Sequence, residues 1–108
     1  MSADSIASVY ATFADEAEAR RIGRQLVEER LAACVNILGP CHSIYRWQGK
    51  VEEASEVAAI FKVAADQAET LVRRLEELHS YDVPAAVVWP IEQTSESYRS
   101  WVAENSSR

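Results

Sequence analysis

A chain of 108 residues, 48% of them hydrophobic, is long and apolar enough for one globular domain, which we place at residues 1–108, and too apolar for a disordered chain. The net charge of −6 argues against a nucleic-acid binder, whose affinity depends on Lys and Arg that neutralise phosphates. Because the sequence shows no apolar run of about 20 residues, no secretory signal pattern and only two cysteines, we expect a cytoplasmic protein that binds neither membranes nor nucleic acid.

The first elements in chain order are a strand and a helix. Residues 5–13 form a short apolar run rich in β-formers, which is typical of a buried strand. Residues 14–31 carry a helical apolar stripe, with Asp15 as the predicted N-cap. Glu18 follows three residues later, in the spacing of a capping box.

The next segments predict a long hairpin. Residues 32–38 and 42–47 are extended and partly apolar, and residues 50–65 return as a long strand. Gln48 and Gly49 form a plausible two-residue turn, because glycine tolerates the positive φ that such turns require. That turn pairs Trp47 with Lys50, Arg46 with Val51, Tyr45 with Glu52, Ile44 with Glu53, His42 with Ser55 and Cys41 with Glu56.

The last third of the chain predicts helix, strand and helix. Residues 66–80 predict a second helix with the same capping pattern as the first, in which Asp66 is the N-cap and Glu69 follows three residues later. Residues 84–91 predict a fourth strand, in which Pro90 indicates an edge position or a strand end. Residues 95–104 predict a final helix.

The order of elements predicts the fold class. Strand, helix, strand, strand, helix, strand is the βαββαβ order of the α+β, ferredoxin-like fold, here with a long hairpin and an added C-terminal helix. That fold places both main helices on one face of the sheet. We therefore expect the other face to be hydrated or covered by a partner.

The hairpin register bears on a metal site. Neighbouring strand residues point to opposite faces, so Cys41 and His42 cannot easily hold one ion unless an irregularity at residues 39–40 reorients them. The same register places Arg46 and Glu53 on one face as diagonal neighbours. We expect an exposed ion pair between them.

Cysteine and histidine are too few for a structural zinc site within one chain. Such a site needs four ligands, usually with short Cys or His spacing, and the whole chain has two of each. Cys34 lies in an apolar run and is predicted to be core. His79 closes the second helix, where it either bonds the last helical carbonyls or serves as a ligand.

Aromatic residues predict an oligomer interface. Tyr45 and Trp47 share one face of the hairpin, and with Tyr98 and Trp101 they exceed the aromatic surface that a small hairpin can bury. The alternative is an aromatic cluster within one chain.

The sequence contains no recognisable catalytic motif, and we expect that the protein is not an enzyme. A nucleophile elbow and a glycine-rich phosphate loop are both missing. Acylphosphatases share the fold class, but an acidic segment precedes the first helix here in place of a basic anion loop.

Five segments form a combined pattern that runs over most of the chain. They are ERLAACVNI (29–37), SIYRWQGKVEE (43–53), IFK (60–62), LHSYDVP (78–84) and SYRSWV (97–102). This combination resembles the CutA family, the divalent cation tolerance proteins. The resemblance implies a compact homotrimer in which the hairpin joins inter-subunit sheets. It also implies a link to tolerance of copper and other divalent cations, and a trimer similar to that of PII signalling proteins.

The resemblance leaves two functional hypotheses. The first is a trimeric protein of divalent-cation homeostasis that binds Cu(II) or another divalent cation weakly through His79, or through Cys41 and His42. Where some members have a copper-ligating cysteine and two successive histidines, this chain has Ala11 and Leu78-His79. The second is a PII-like sensor or interaction module that binds a small ligand or a partner protein at inter-subunit clefts, with these candidate lining residues: Tyr45, Trp47, Glu56, Lys62, Tyr81 and Trp101.

Overall fold

The computed structural model describes residues 5–107 and has the predicted order of elements. The described residues form four strands and three helices in the ferredoxin-like order, and the last of these helices is the added C-terminal one. The strands are β1 (Ile6–Phe13), β2 (Cys34–Trp47), β3 (Lys50–Ala64) and β4 (Ala86–Ile91). The helices are α1 (Glu16–Glu28), α2 (Ala68–Leu78) and α3 (Glu96–Asn105).

The sheet has the order β2-β3-β1-β4, and each neighbouring pair of strands runs antiparallel. The hairpin of β2 and β3 has the predicted register, from Trp47 opposite Lys50 to Cys41 opposite Glu56. A bulge between Ile37 and Gly39 interrupts the β2-β3 ladder just before residues 39–40. Pro90 lies in β4, an edge strand, where a residue without an N–H is tolerated.

One face of the sheet carries the core. Side chains that alternate along β1 and β3 pack against apolar stripes of α1 and α2, because both strands and helices bury one side. The central residues of this core include Val9, Phe13, Ile22, Leu26, Phe61, Leu71 and Leu75.

The opposite face of the sheet is open to solvent in a single chain. Tyr10 stacks on Trp89 there, with ring centroids 5.2 Å apart, and Val87 lies opposite Tyr10. Trp89 and Val87 are each 47% exposed. The apolar face predicted to need water or a partner is therefore present.

The two predicted helix caps have different outcomes. The side chain of Asp15 accepts the Glu18 N–H at 2.8 Å, which confirms the cap of α1. The predicted cap at Asp66 is wrong. Residues Ala65–Gln67 form a 3₁₀ turn directly after β3, so Asp66 lies inside that turn and α2 begins only at Ala68, without a side-chain cap.

The C-terminal helix is fixed by two polar residues. The buried Ser106 hydroxyl donates to the Val102 carbonyl at 2.6 Å and accepts the Ala64 N–H at 2.8 Å. The Arg30 guanidinium donates to the carbonyls of Glu104 and Ser107.

In the described part of the chain, all helices are too short or too polar to cross a membrane.

Candidate functional site

A cavity of about 700 Å³ lies where the hairpin meets the loop between α2 and β4. The hairpin supplies one wall, the loop supplies the other, and the end of β1 closes the floor. Its lining side chains are Thr12, Ser43, Tyr45, Trp47, Glu52, Glu56, Ser80, Tyr81, Asp82, Val83 and Ala85.

Strand alternation aims the hairpin residues at this cavity. Ser43, Tyr45 and Trp47 follow one another at every second position of β2, so they share a face. On β3, Glu52 stands directly opposite Tyr45, and Glu56 lies four positions further along on the same face. The pairing therefore brings aromatic rings and carboxylates together on one surface.

Tyr81 connects the loop to the hairpin. Its hydroxyl donates to Oε2 of Glu56 at 2.8 Å, across the cavity wall. Burial, together with this hydrogen bond to a carboxylate, raises the pKa of Tyr81 above its ordinary value. Its phenol therefore stays protonated and keeps donating to Glu56 at physiological pH.

His79 lies beneath Tyr81 and is buried. Its Nδ1 accepts the Tyr81 N–H at 3.1 Å, so the proton resides on Nε2, which donates to the Thr12 carbonyl at 2.8 Å. The ring stacks on Phe13 with centroids 5.1 Å apart. The predicted bond to the last helical carbonyls is wrong, because the backbone turns extended at His79 and carries the ring toward β1. Both ring nitrogens are already bonded within the chain.

Glu18 is the buried carboxylate beside this histidine. Burial by itself would raise the pKa of Glu18, but hydrogen bonds from Ser80 and from the Ala14 backbone lower it below its ordinary value. The two backbone bonds measure 3.0 Å each. This carboxylate ties the start of α1 to the loop after α2.

His42 and Glu53 form a pair on the other face of the hairpin. His42 Nε2 lies 2.6 Å from Oε1 of Glu53, and both side chains are 60% exposed. The predicted ion pair of Arg46 with Glu53 is wrong. Glu53 has two diagonal neighbours across the ladder, and its carboxylate pairs with the histidine rather than the arginine.

The three predicted metal ligands lie in separate places. Cys41 and His42 point to opposite faces of β2, as the register requires, and His79 is buried under the loop. Cys41 contacts Ser43, with Sγ 4.0 Å from Oγ. Within residues 5–107, no cluster of three or more His, Cys, Asp or Glu side chains is arranged to hold a metal ion.

Four of the six predicted cleft residues line the cavity, namely Tyr45, Trp47, Glu56 and Tyr81. The other two lie elsewhere. Lys62 is in β3, opposite Cys34 and Ser8, and Trp101 stacks on Tyr98 in α3 with centroids 5.9 Å apart. Trp101 and the hairpin aromatics therefore belong to different surfaces.

Glu52 and Asp82 are not among the predicted cleft residues, yet they add two carboxylates to the cavity. Glu52 could have been found from the predicted register, since it faces Tyr45. Asp82 had no such signal, because its place depends on the path of the loop.

The family model described as CutA1 divalent ion tolerance protein matches residues 7–105 of the chain. The chain belongs to the CutA1 family. A relative from Pyrococcus horikoshii, named divalent-cation tolerance protein CutA, is 41% identical over 100 residues, which are 93% of this chain and 97% of the relative.

Solved CutA structures share the fold. The divalent cation tolerance protein (Cut A1) of Thermus thermophilus superposes with a TM-score of 0.91 at 42% identity, covering 94% of this chain and 99% of that one. The protein of Archaeoglobus fulgidus, described as a periplasmic divalent cation tolerance protein CutA, gives 0.90 at 34% identity with the same coverage. These likenesses confirm the α+β architecture and the family predicted from the sequence.

Proposed function

We propose that this chain acts as a homotrimeric cytoplasmic protein that contributes to tolerance of copper and other divalent cations, and that it is not an enzyme. The observation that carries the proposal is the family match over residues 7–105. The Pyrococcus horikoshii relative, named for divalent-cation tolerance, supports it at 41% identity.

The exposed pair of His42 and Glu53 is the part of the chain that best fits a divalent cation. An imidazole nitrogen and a carboxylate oxygen 2.6 Å apart are two ligands of the kind that Cu(II) accepts. His79 fits less well, because binding a metal through either ring nitrogen would break its bond to Thr12 or to Tyr81. Two donors leave a site incomplete, so in the proposed trimer a second subunit or water supplies the rest.

The open face of the sheet supports the proposed trimer. The stacked pair of Tyr10 and Trp89 together with Val87 exposes apolar surface that a single chain leaves in water. Burying such a surface against a second copy is favourable. Sedimentation or native mass spectrometry should give three times the mass of one chain, and a monomer at all concentrations would exclude the trimer.

Calorimetric titration with Cu(II) tests the cation site. The wild type and the variants His42→Ala, His79→Ala and Cys41→Ser are compared at equal protein concentration. We expect His42→Ala to lose binding, and the other two variants to bind as the wild type does. Equal binding by His42→Ala and the wild type would remove His42 from the site.

The cavity favours a second candidate function, that of a PII-like sensor or interaction module. A concave site of about 700 Å³ with aromatic walls and several polar groups has the character of a small-ligand pocket. A thermal-shift screen of metals, nucleotides, anions and amines tests this function. A response to metal ions alone would count against it.

A further inference from the structure

The walls of the cavity combine aromatic rings with negative charge. Three lining side chains are aromatic, three are carboxylates, and the lining described within residues 5–107 contains no Lys or Arg. Aromatic faces attract cations, and carboxylates accept hydrogen bonds from ammonium groups. The composition of this cavity therefore favours a positively charged ligand.

The carboxylates of the cavity are not neutralised by the described part of the chain. Glu52 and Asp82 form no ion pair within residues 5–107. Glu56 receives the Tyr81 hydroxyl on Oε2, which leaves Oε1 available as an acceptor. Because Tyr81 is neutral, its hydrogen bond orients Glu56 without removing its charge.

The aromatic residues are placed to enclose an apolar chain. Tyr45 and Trp47 remain 40% and 41% exposed, although each lies on the cavity wall. Tyr81, held by Glu56 and packed on His79 at 4.6 Å between ring centroids, forms the facing wall. A ligand between these walls would cover rings that water now covers.

We propose that the cavity binds a primary alkylammonium ion, with its charged group at Glu52 and its alkyl chain between Tyr45, Trp47 and Tyr81. The inference rests on the sensor function proposed above and names the ligand class of that site. An anion would face three carboxylates without a basic partner in the described lining, so nucleotides and phosphates do not suit this site.

A matched series of three probes tests the charge of the ligand. Butylammonium, 1-butanol and butyrate carry similar short alkyl chains with positive, zero and negative charge. They are titrated at constant ionic strength into the ¹⁵N-labelled full chain. The indole N–H signals of its three tryptophans are assigned by single Trp→Phe variants. We expect butylammonium to shift the Trp47 signal saturably, and the Trp89 and Trp101 signals to stay in place.

The substitution Glu52→Gln tests the placement of the ammonium group, with Glu92→Gln as the matched control. Both residues are exposed and neither forms an ion pair within residues 5–107, so each variant removes one charge without disturbing the fold. Only Glu52 of these two lines the cavity. We expect Glu52→Gln to raise the dissociation constant for butylammonium by about threefold or more, and Glu92→Gln to leave it unchanged.

The outcomes separate this inference from the sensor function. Equal shifts by 1-butanol or butyrate, shifts of all three indoles, or equal weakening by Glu92→Gln would overturn the alkylammonium site. If butylammonium has no effect while a nucleotide or another anion shifts Trp47, the inference fails and the sensor function survives. If no compound shifts Trp47, for example because a second copy fills the cavity, both fail.

Discussion

The Nε2 atom of His79 lies 2.8 Å from the carbonyl oxygen of Thr12, and this bond joins the end of α2 to the end of β1. The other ring nitrogen accepts the N–H of Tyr81, whose hydroxyl holds Glu56 on the hairpin. One buried imidazole therefore connects the core to the wall of the cavity. A residue that the family resemblance assigned to copper is placed as a structural support in this chain.

Replacing His79 by alanine should destabilise the fold. The change removes a buried ring that stacks on Phe13 and leaves the Thr12 carbonyl and the Tyr81 N–H without their partner. We expect a loss of about 2–4 kcal/mol in the free energy of unfolding, measured by urea denaturation. His42→Ala is the control, because His42 is exposed, and it should change stability little. An equal loss in both variants would contradict the structural role of His79.

The hairpin could be predicted closely because its determinants are local. A two-residue turn at Gln48 and Gly49 fixes the register, and the register fixes which side chains share a face. The separation of Cys41 from His42 followed from that alternation alone. The structure has the same register, so the two side chains lie on opposite faces of β2.

The rest of the site depends on tertiary contacts that have no local signal. Glu53 had two diagonal neighbours of suitable chemistry, and the sequence offered no means of preferring His42 over Arg46. The position of Asp82 depends on how the loop after α2 folds over His79. The misplaced cap at Asp66 has a similar origin, since a hydrogen bond from the Ala65 N–H to the Ser5 carbonyl helps draw the chain into a 3₁₀ turn.

Glu18→Gln should destabilise the protein at neutral pH and much less in acid. The folded state lowers the pKa of Glu18 below its ordinary value of 4.5. Its charged form therefore stabilises the fold above that value, and the contribution disappears as pH falls through the folded pKa. We expect the variant to lose about 1–3 kcal/mol at neutral pH, because its hydrogen bonds reach a charged acceptor.

Urea denaturation at neutral pH and at the most acidic pH that preserves the fold measures this difference. Glu16→Gln is the control, since Glu16 lies in the same first turn of α1 but is mostly exposed. Its stability difference from the wild type should be small at both pH values. A loss for Glu18→Gln that stays constant with pH would show that charge is not its cause.

Two substitutions in the turn of the hairpin should change the stability of the fold in opposite directions. Gln48 and Gly49 both have positive φ, 51° and 83°, which suits a type I′ turn. Asn adopts this region more easily than Gln, so Gln48→Asn should add about 0.5 kcal/mol of stability. Gly49→Ala should cost about 1 kcal/mol from backbone strain alone, because no heavy atom lies within 4 Å of the added Cβ. Thermal unfolding midpoints that fail to move in opposite directions would contradict this account of the turn.

Ser106 should matter to stability although it lies near the end of the chain. Its buried hydroxyl accepts the Ala64 N–H and donates to the Val102 carbonyl, so it closes α3 onto the end of β3. Ser106→Ala leaves the Ala64 N–H without this acceptor, and we expect a loss of about 1–3 kcal/mol in the free energy of unfolding. Ser107→Ala is the matched control, because it keeps the backbone carbonyl that Arg30 binds and removes only an exposed hydroxyl. Urea denaturation measures the free energy of unfolding of both variants. Equal stability of the two would remove Ser106 from the set of residues that hold the C-terminal helix.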